Sequence, residues 1–556
     1  MNKVNRPKRI VIIGAVAAGT SAAAKARRND EEAEIVIYEM DEHISYSGCG
    51  LPYYIGGKVA NLEALTPRDP KFFRDKYEVD ILIRHKVLSV DPAAKTLVIQ
   101  NLATGETFAD RYDVLVLSTG ATSMIPPIPG VDLPHVFTLR NPLSARTIRT
   151  FIEEHQPKTA AVVGSGFIGL EMVENLVDAG ILVSVVEKLP QVCPFVDPDL
   201  APYVEETLVK KNVTVLTGVA ATEIWPGSVN LDDGSTVDAD LVILAVGVRP
   251  NTTLARDMGV VVGSTGAIAV NTRMQTNLPD VYACGDCAET FSIIDGRPLY
   301  RPLGSTANKM GRIAGDILTG GSLAFRGIAG TGIFKLFDHT IAASGLTEKQ
   351  ARDSGYDIVI SHNIKPDKPE YFGGREMVIK AIADRKTEKL LGVQIVGYEG
   401  VDKRMDVFVT AMTAGLGVSD LFHLDLAYAP PFATTKDPIL YTGMILDNAL
   451  HRGRDIITAD DLMATDPAEI QVVDARVAKQ YQEHHVDHAV SMPHGSLREQ
   501  MAALDKDKPV VTYCNKGTTG NAAQNILINH GFRKVYNLSG GHKQYKACKK
   551  CHEKKQ

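Results

Sequence analysis

One supersecondary pattern occurs twice in this chain, and it limits the possible folds more than any bulk property does. Arg9-Ile-Val-Ile-Ile13 is an apolar run, and Gly14-Ala-Val-Ala-Ala-Gly19 is a glycine turn. An alanine-rich stretch to Arg28 then predicts a helix, and Glu34-Ile-Val-Ile-Tyr-Glu39 is a second apolar run that ends on an acid. About 150 residues later, Thr159-Ala-Ala-Val-Val163, Gly164-Ser-Gly-Phe-Ile-Gly169, an apolar segment to Ala179 and Leu182-Val-Ser-Val-Val-Glu187 repeat the order. Strand, glycine loop, helix and parallel strand make the βαβ unit of a dinucleotide-binding fold. Two whole units are far harder to obtain by chance than either glycine loop alone.

The chemistry follows from the loop residues. Gly164, Gly166 and Gly169 let backbone amides approach a pyrophosphate at a helix N-terminus, and Glu187 at the next strand end suits an adenosine ribose hydroxyl. A carboxylate there repels a 2′-phosphate, which favours NADH, although the adjacent Lys188 leaves NADPH open. The first loop keeps Gly14, Ala15 and Gly19 but has Val16 in the middle-glycine place. Glu39 supplies a ribose acid, and Asp286, at the end of Thr276-Asn-Leu-Pro-Asp-Val-Tyr-Ala-Cys-Gly-Asp286, suits the ribityl chain of a flavin. The first unit therefore reads as an FAD site, with Thr119 and Gly120 closing the nearby run Val114-Leu-Val-Leu-Ser-Thr-Gly-Ala121.

At 556 residues the chain exceeds what one hydrophobic core supports, so three or four domains are expected. Val114 to Ala121 and Leu241 to Pro250 each read as a crossover back to the first domain. A third, β-rich domain begins near residue 327, with strands predicted at Ile333 to Phe337, Met377 to Ile382 and Leu391 to Val396, then a helix from Asp402 to Ala414. After Leu450 a shorter α/β pattern places strands at Gln471 to Asp474, Pro509 to Tyr513 and Val535 to Leu538. A net charge of −6 argues against general nucleic-acid binding. No run of eighteen apolar residues offers a membrane span. The basic lead Lys3, Arg6, Lys8 and Arg9 precedes only a short strand, not the apolar core of a secretion signal. Seven cysteines at irregular spacing fit a reducing compartment, so a cytoplasmic location is expected.

Cys49 stands alone in Ser47-Gly48-Cys49-Gly50-Leu51-Pro52-Tyr53. A lone thiolate forms a mixed disulfide, a persulfide or a sulfenic acid, whereas a neighbouring cysteine pair would close on itself.

These residues together resemble the pyridine nucleotide-disulfide oxidoreductases, and within them the coenzyme A disulfide reductases and NADH-dependent CoA-persulfide reductases that carry a fused rhodanese domain. The resemblance spans the chain through Gly14-Ala-Val-Ala-Ala-Gly19, Cys49-Gly-Leu-Pro-Tyr53, the loop at Gly164, Ala283-Cys-Gly-Asp286, Gly400-Val-Asp-Lys-Arg404 and Ala427-Tyr-Ala-Pro-Pro431. It implies an α/β fold with two Rossmann-like dinucleotide-binding domains, an α+β dimerisation domain and a C-terminal α/β rhodanese domain. The implied boundaries are 1–120 with 245–326 for FAD, 121–244 for NAD(P)H, 327–450 for dimerisation and 455–552 for the rhodanese module. It also implies a homodimer in which Cys49 exchanges electrons with the flavin and attacks the sulfur–sulfur bond of CoA disulfide, CoA persulfide or polysulfide.

By the same resemblance Tyr428 and Tyr371 reach the site from the partner subunit, and Tyr428 donates a proton or stabilises the leaving thiolate. The implied CoA contacts are Ser21, Lys25, Arg28, Ser45, Lys76, Asn308 and Lys436. Lys25 and Arg28 lie three apart and so share a helix face. Gly48 departs from relatives that place an asparagine before the cysteine. Peroxidases and oxidases of the same family carry a histidine in the first glycine loop where this chain has Ala17, which disfavours peroxide chemistry. A water-forming NADH oxidase or peroxidase using a Cys49 sulfenate is still a competing reading, as is a sulfur carrier with a redox-sensing flavin half.

Cys514 follows Val510-Val-Thr-Tyr513 and opens Asn515-Lys-Gly-Thr-Thr-Gly-Asn521. Successive amides in such a loop, backed by a helix N-terminus, form an anion cradle that lowers a thiol's pKa and stabilises a persulfide. The loop resembles that of rhodaneses, supported by Asp474 and by Gly540-Gly-His542. Thr518 and Thr519 fill the region where rhodaneses hold an arginine for thiosulfate, which favours polysulfide or a persulfide as donor. Cys284 and Cys287 read as flavin-site packing, and Cys193 has no evident role. Cys548-Lys-Lys-Cys551-His552 reads as a flexible, basic, exposed tail rather than a haem or zinc site, and no metal is expected.

Overall fold

The computed structural model describes residues 8–553, so Lys3 and Arg6 of the basic lead lie outside the described residues. The chain forms two compact units, one of residues 8–188 with Val219–Gly330, the other of Leu189–Gly218 with residues 331–553.

The first unit holds two parallel sheets built on the two repeated patterns. In one, the strand order is Val281–Ala283, Val114–Leu117, Arg9–Ile13, Glu34–Tyr38 and Val79–Leu82. Ile10 pairs with Ile35 on one side and Val114 on the other, and Ile10, Val11 and Ile12 are completely buried. Strands covered on both faces cannot alternate polar and apolar residues, which is why these runs are continuously aliphatic. In the other sheet, Thr159–Val163 lies between Leu182–Glu187 and Leu241–Leu244 in parallel register. The helices Ala17–Asn29 and Phe167–Asp178 fill the connections.

Gly14 and Gly164 have φ of +106° and +101°, where a side chain is strained. A Cβ on Gly14 would meet the Ser118 carbonyl oxygen at 2.2 Å, so the first turn is closed to any larger residue. The run from Leu241 to Pro250 is not one crossover strand. Leu241–Leu244 completes the second sheet, and only Val248–Pro250 pairs back, antiparallel with Ala121–Ser123. A three-residue interruption, Ala245 to Gly247, thus divides one apolar run between two sheets.

The second unit holds a five-stranded antiparallel sheet in the order Gly332–Leu336, His339–Gly345, Leu390–Gly397, Glu376–Asp384 and Ile358–Pro366. His339–Gly345 and Ile358–Pro366 were not expected from sequence. Ser361, His362 and Asn363 interrupt the aliphatic pattern, yet all three are buried. A five-stranded parallel sheet follows, in the order Ile456–Ile457, Val535–Leu538, Val510–Tyr513, Gln471–Asp474 and Ala489–Ser491.

A buried polar group ties the segment Leu189–Gly218 to both sheets. Lys380 Nζ lies 2.8 Å from Asp199 and from Glu348 and 3.1 Å from Asp197, and His362 Nε2 lies 2.7 Å from Asp199. The His362 amide donates to Ser539 Oγ at 2.6 Å. Such a cluster is costly to desolvate but more costly to break, since removing one partner strands a charge.

Candidate functional site

Both glycine loops lead into helices whose N-termini carry no side-chain cap and no acid in the first turn. Uncapped amides at a helix start attract an anion. A Cβ placed on Gly166 would meet nothing within 4 Å, so the space ahead of the second helix is open. The acids are fixed by the loops themselves. The Ala15 amide donates to Glu39 Oε2 at 2.7 Å, and the Asp41 amide to Oε1 at 2.9 Å. Burial pushes the Glu39 carboxyl up while these amides oppose the shift. In the second loop the Ser165 amide and hydroxyl both donate to Glu187 Oε2, at 2.8 and 2.6 Å. This donor set, two anion-binding helix ends each beside a buried ribose-type acid, fits two dinucleotides.

Asp286 follows the strand Val281–Ala283 and accepts from Arg140 Nη2 at 3.0 Å. Thr119 Oγ1 donates to the Asn251 carbonyl at 2.7 Å, and Asn251 Nδ2 returns a bond to the Thr119 carbonyl at 2.8 Å. Gly120 adopts φ +69°.

Cys49 sits in the single helical turn Gly48–Gly50, which runs into Leu51–Ile55 with Pro52 in its first turn. The residue is exposed. Even so, surrounding protein displaces enough water to push its thiol above the ordinary range, and the charges of Glu171 and Asp286 add to the shift. Glu171 itself is pushed up to about 7 by burial and by Glu174. Sequence reading missed Glu171. The available signal was an acid two positions past Gly169 within the largely apolar helix Phe167–Asp178.

In the second unit Tyr428 lines a cavity of about 530 Å³ with Lys368, Lys403 and Phe432. Beneath it, buried Arg404 pairs with Asp437 at 2.8 Å. Tyr371 is 76% exposed on the turn Glu370–Phe372.

Cys514 lies where Val510–Tyr513 ends, and its sulfur accepts from the Gly517 amide at 3.2 Å. Behind it Asp474 accepts from Arg476 Nη2 and from the Tyr513 hydroxyl, each at 2.6 Å. Burial, then the Arg476 charge, pushes His542 down to about 4, so its imidazole is neutral at physiological pH. A cavity of about 520 Å³ opens over Cys514. The helix begins at Thr518, so Thr518 and Thr519 form its first turn and do not belong to a longer loop as expected.

The family profile described as pyridine nucleotide-disulphide oxidoreductase matches residues 8–310, its dimerisation domain matches 332–438, and a rhodanese-like domain matches 458–548. The chain belongs to the pyridine nucleotide-disulphide oxidoreductases. Among relatives of this oxidoreductase, the NAD(P)H sulfur oxidoreductase (CoA-dependent) of Pyrococcus furiosus is 38% identical over 79% of this chain and 99% of its own length. The solved structure of reduced CoADR-RHD from Bacillus anthracis superposes with a TM-score of 0.95 at 35% identity, covering 97% of this chain and 98% of that one. The NAD-dependent persulfide reductase from A. fulgidus gives a TM-score of 0.89 at 34% identity, covering 97% and 100%.

The oxidoreductase's expected CoA contacts divide into groups. Ser21 Oγ and Asn308 Oδ1 meet at 2.7 Å, and the Ser45 amide donates to the Ala15 carbonyl from a φ of +48°. Arg28 and Lys76 both face Tyr77, 5.5 and 5.6 Å from its ring centroid. Lys25 lies with Arg28 on the helix Ala17–Asn29, its ammonium 3.1 Å from Asp316 and 2.8 Å from Asn29 Oδ1. Lys436 is exposed in the second unit.

None of the seven cysteines forms a disulfide. Cys284 and Cys287 are fully buried, and burial pushes Cys193 up to about 12. The expected exposed tail is corrected: Gly541–Glu553 is a helix, and Cys548 is buried in the core of the parallel sheet beside Tyr545. The lysines of that segment mask an amphipathic pattern that buries Gln544, Tyr545 and Cys548 on one face. No group of three metal-binding side chains occurs among the described residues. None of their helices is long and apolar enough to cross a membrane.

Proposed function

We propose that this protein is a homodimeric, FAD-dependent reductase that uses NADH to cleave the sulfur–sulfur bond of CoA disulfide, CoA persulfide or polysulfide. The observation that carries this reading is the pair of separate single-thiol sites: Cys49 exposed on its turn and Cys514 at the floor of its own cavity. A dithiol reductase keeps both sulfurs together, whereas two isolated thiols need a mobile thiol between them. The names of the similar proteins, CoA-dependent sulfur oxidoreductase and persulfide reductase, support CoA in that role.

Gly14, Ala15, Gly19, Glu39, Thr119, Gly120 and Asp286 would hold FAD, and Gly164, Gly166, Gly169 and Glu187 would hold NADH, with NADPH the weaker partner. Bound FAD would supply the electron pair that returns Cys49 from its mixed disulfide to the thiolate. The Cys49 thiolate attacks the substrate's sulfur–sulfur bond and releases a thiolate, to which Tyr428 of the partner subunit donates its phenolic proton. Tyr371 of the partner subunit is a second phenol at the same site. Ser21, Lys25, Arg28, Ser45, Lys76, Asn308 and Lys436 hold CoA. Cys514 carries sulfane sulfur to or from the same thiol. The domain boundaries are those implied by the sequence, and the reducing chemistry places the protein in the cytoplasm.

The test is steady-state NADH oxidation with each acceptor on wild type, Cys49→Ser and Cys514→Ser. Loss of every acceptor in Cys49→Ser, with Cys514→Ser impaired for polysulfide alone, supports the two-site scheme. Sulfide release that survives Cys49→Ser means the chain is a sulfur carrier. Turnover with oxygen alone that needs Cys49 means it is an oxidase.

A further inference from the structure

The cavity over Cys514 is not built by the rhodanese-like module alone. Ile364, Lys365 and Pro366, at the end of the antiparallel-sheet strand Ile358–Pro366, form part of its wall. Lys365 Nζ donates to Thr518 Oγ1 at 2.9 Å, and it sits 4.1 Å from the centroid of the Tyr441 ring. Thr518 is the first residue of the helix Thr518–Asn529, whose N-cap, Gly517, offers no side-chain cap. An ammonium group is therefore delivered, from a different domain, to a helix start whose own loop cation, Lys516, is paired with Glu376.

The other cations of the cavity are already matched. Lys516 pairs with Glu376, which Lys543 also holds, and Arg476 is committed to Asp474. Among the described residues Lys365 makes no ion pair. It is half-buried, and burial together with the charges of Lys516 and Lys436 pushes its ammonium below the ordinary lysine range, opposed by Cys514. A cation crowded by cations and partly stripped of water is a standing cost that an incoming anion relieves.

We propose that Lys365 is the specificity-determining cation of the sulfur-transfer pocket, so that the dimerisation domain selects anionic sulfane-sulfur donors for Cys514. The proposal rests on the reading of Cys514 as a sulfur carrier. In the step it serves, the Cys514 thiolate attacks the outer sulfur of a donor R–S–SH. The Cys514 sulfur–sulfur bond forms as the donor's bond breaks, and RS⁻ leaves with the electron pair, so no net oxidation occurs. Lys365 faces the charge carried by the donor and its leaving group. The helix N-terminus, to whose first residue Lys365 is bonded, adds a partial positive charge. Because Lys365 lies outside the module, the missing loop arginine is replaced from a distant part of the chain.

The test compares two reagents of similar size, one anionic and one neutral. Cys514 in the full-length holoenzyme is alkylated with iodoacetate and, separately, iodoacetamide, and modification is followed by peptide mass mapping in wild type, Lys365→Gln and Lys365→Arg. The iodoacetate-to-iodoacetamide rate ratio is expected to fall roughly threefold to tenfold in Lys365→Gln, as for one unmatched charge near a partly desolvated site. It is expected to return in Lys365→Arg and to shrink in wild type as salt is raised. A merely bracing lysine would alter both reagents alike and leave the ratio unchanged, which overturns the proposal. The two possible failures separate. Absence of added sulfur on wild-type Cys514 after exposure to inorganic polysulfide, read by mass, removes the carrier reading, whereas an unchanged ratio removes only the role of Lys365.

Discussion

Ser165 gives both its amide and its hydroxyl to the same oxygen of Glu187, so the second glycine loop and its strand-end acid are locked into one unit. The carboxylate is oriented before any nucleotide arrives. With Glu187 as the proposed ribose acid, removing it deletes a charge-assisted contact to the nucleotide and frees the loop serine. Glu187→Ala is expected to lower kcat/KM for NADH by roughly 10- to 100-fold, the range for a hydrogen bond to a charged group. NADPH turnover is expected to fall less, so the ratio of NADH to NADPH turnover drops. Steady-state kinetics with both nucleotides checks this, with flavin content as the control for folding.

Glu171 charges the surroundings of Cys49. Its carboxylate disfavours the thiolate, so Glu171→Gln is expected to bring the Cys49 thiol back toward its ordinary range. Iodoacetamide should then modify Cys49 of the flavin-depleted variant faster than wild type at pH 8. Below about pH 7, where Glu171 takes up its proton, the two should converge. Equal rates at every pH would show that Glu171 does not set the thiol.

Lys380 binds three carboxylates in a fully buried position. Lys380→Met is expected to cost about 3–5 kcal/mol, the range for breaking a buried pair, seen as a lower urea midpoint. Burial raises the Asp199 carboxyl, but Lys380 and His362 outweigh it and hold the group below the ordinary carboxylate range. Its folded pKa is thus depressed. The stability it contributes is whole above the unfolded value of about 3.9 and is lost as pH falls through the folded one. Urea midpoints at pH 7 and pH 3 should separate more in wild type than in an Asp199→Asn, Lys380→Met double variant.

Tyr428 opens onto its cavity without a buried partner for its hydroxyl among the described hydrogen bonds. As the proposed proton donor, Tyr428→Phe is expected to slow turnover of CoA disulfide by roughly 10²-fold. Flavin reduction by NADH under anaerobic stopped flow should be unchanged. A slowed reductive half-reaction would instead place Tyr428 with the nucleotide.

The elements legible from sequence are those whose cause is local. Leu182–Glu187 and Gln471–Asp474 have the bounds expected from their aliphatic runs, because a strand covered on both faces advertises itself in its own composition. Ile358–Pro366 was missed because His362 and Asn363 are buried through bonds to Ser539, Pro438 and Thr442, more than seventy residues away in the chain. No local pattern encodes those partners. The Cys548 segment failed for the same reason: a lysine-rich surface face concealed a buried one.

By itself the sequence determined the two dinucleotide loops, their acids, the isolation of Cys49 and the loop that carries Cys514. Each of these depends on residues within one supersecondary unit, where spacing fixes geometry. Only the tertiary structure decided what surrounds the two thiols. Glu171 is brought toward Cys49 across more than a hundred residues, and Lys365 to Thr518 across 153. Charge acts through space while sequence records only order along the chain, so the electrostatic setting of each sulfur appears only when the sheets have packed.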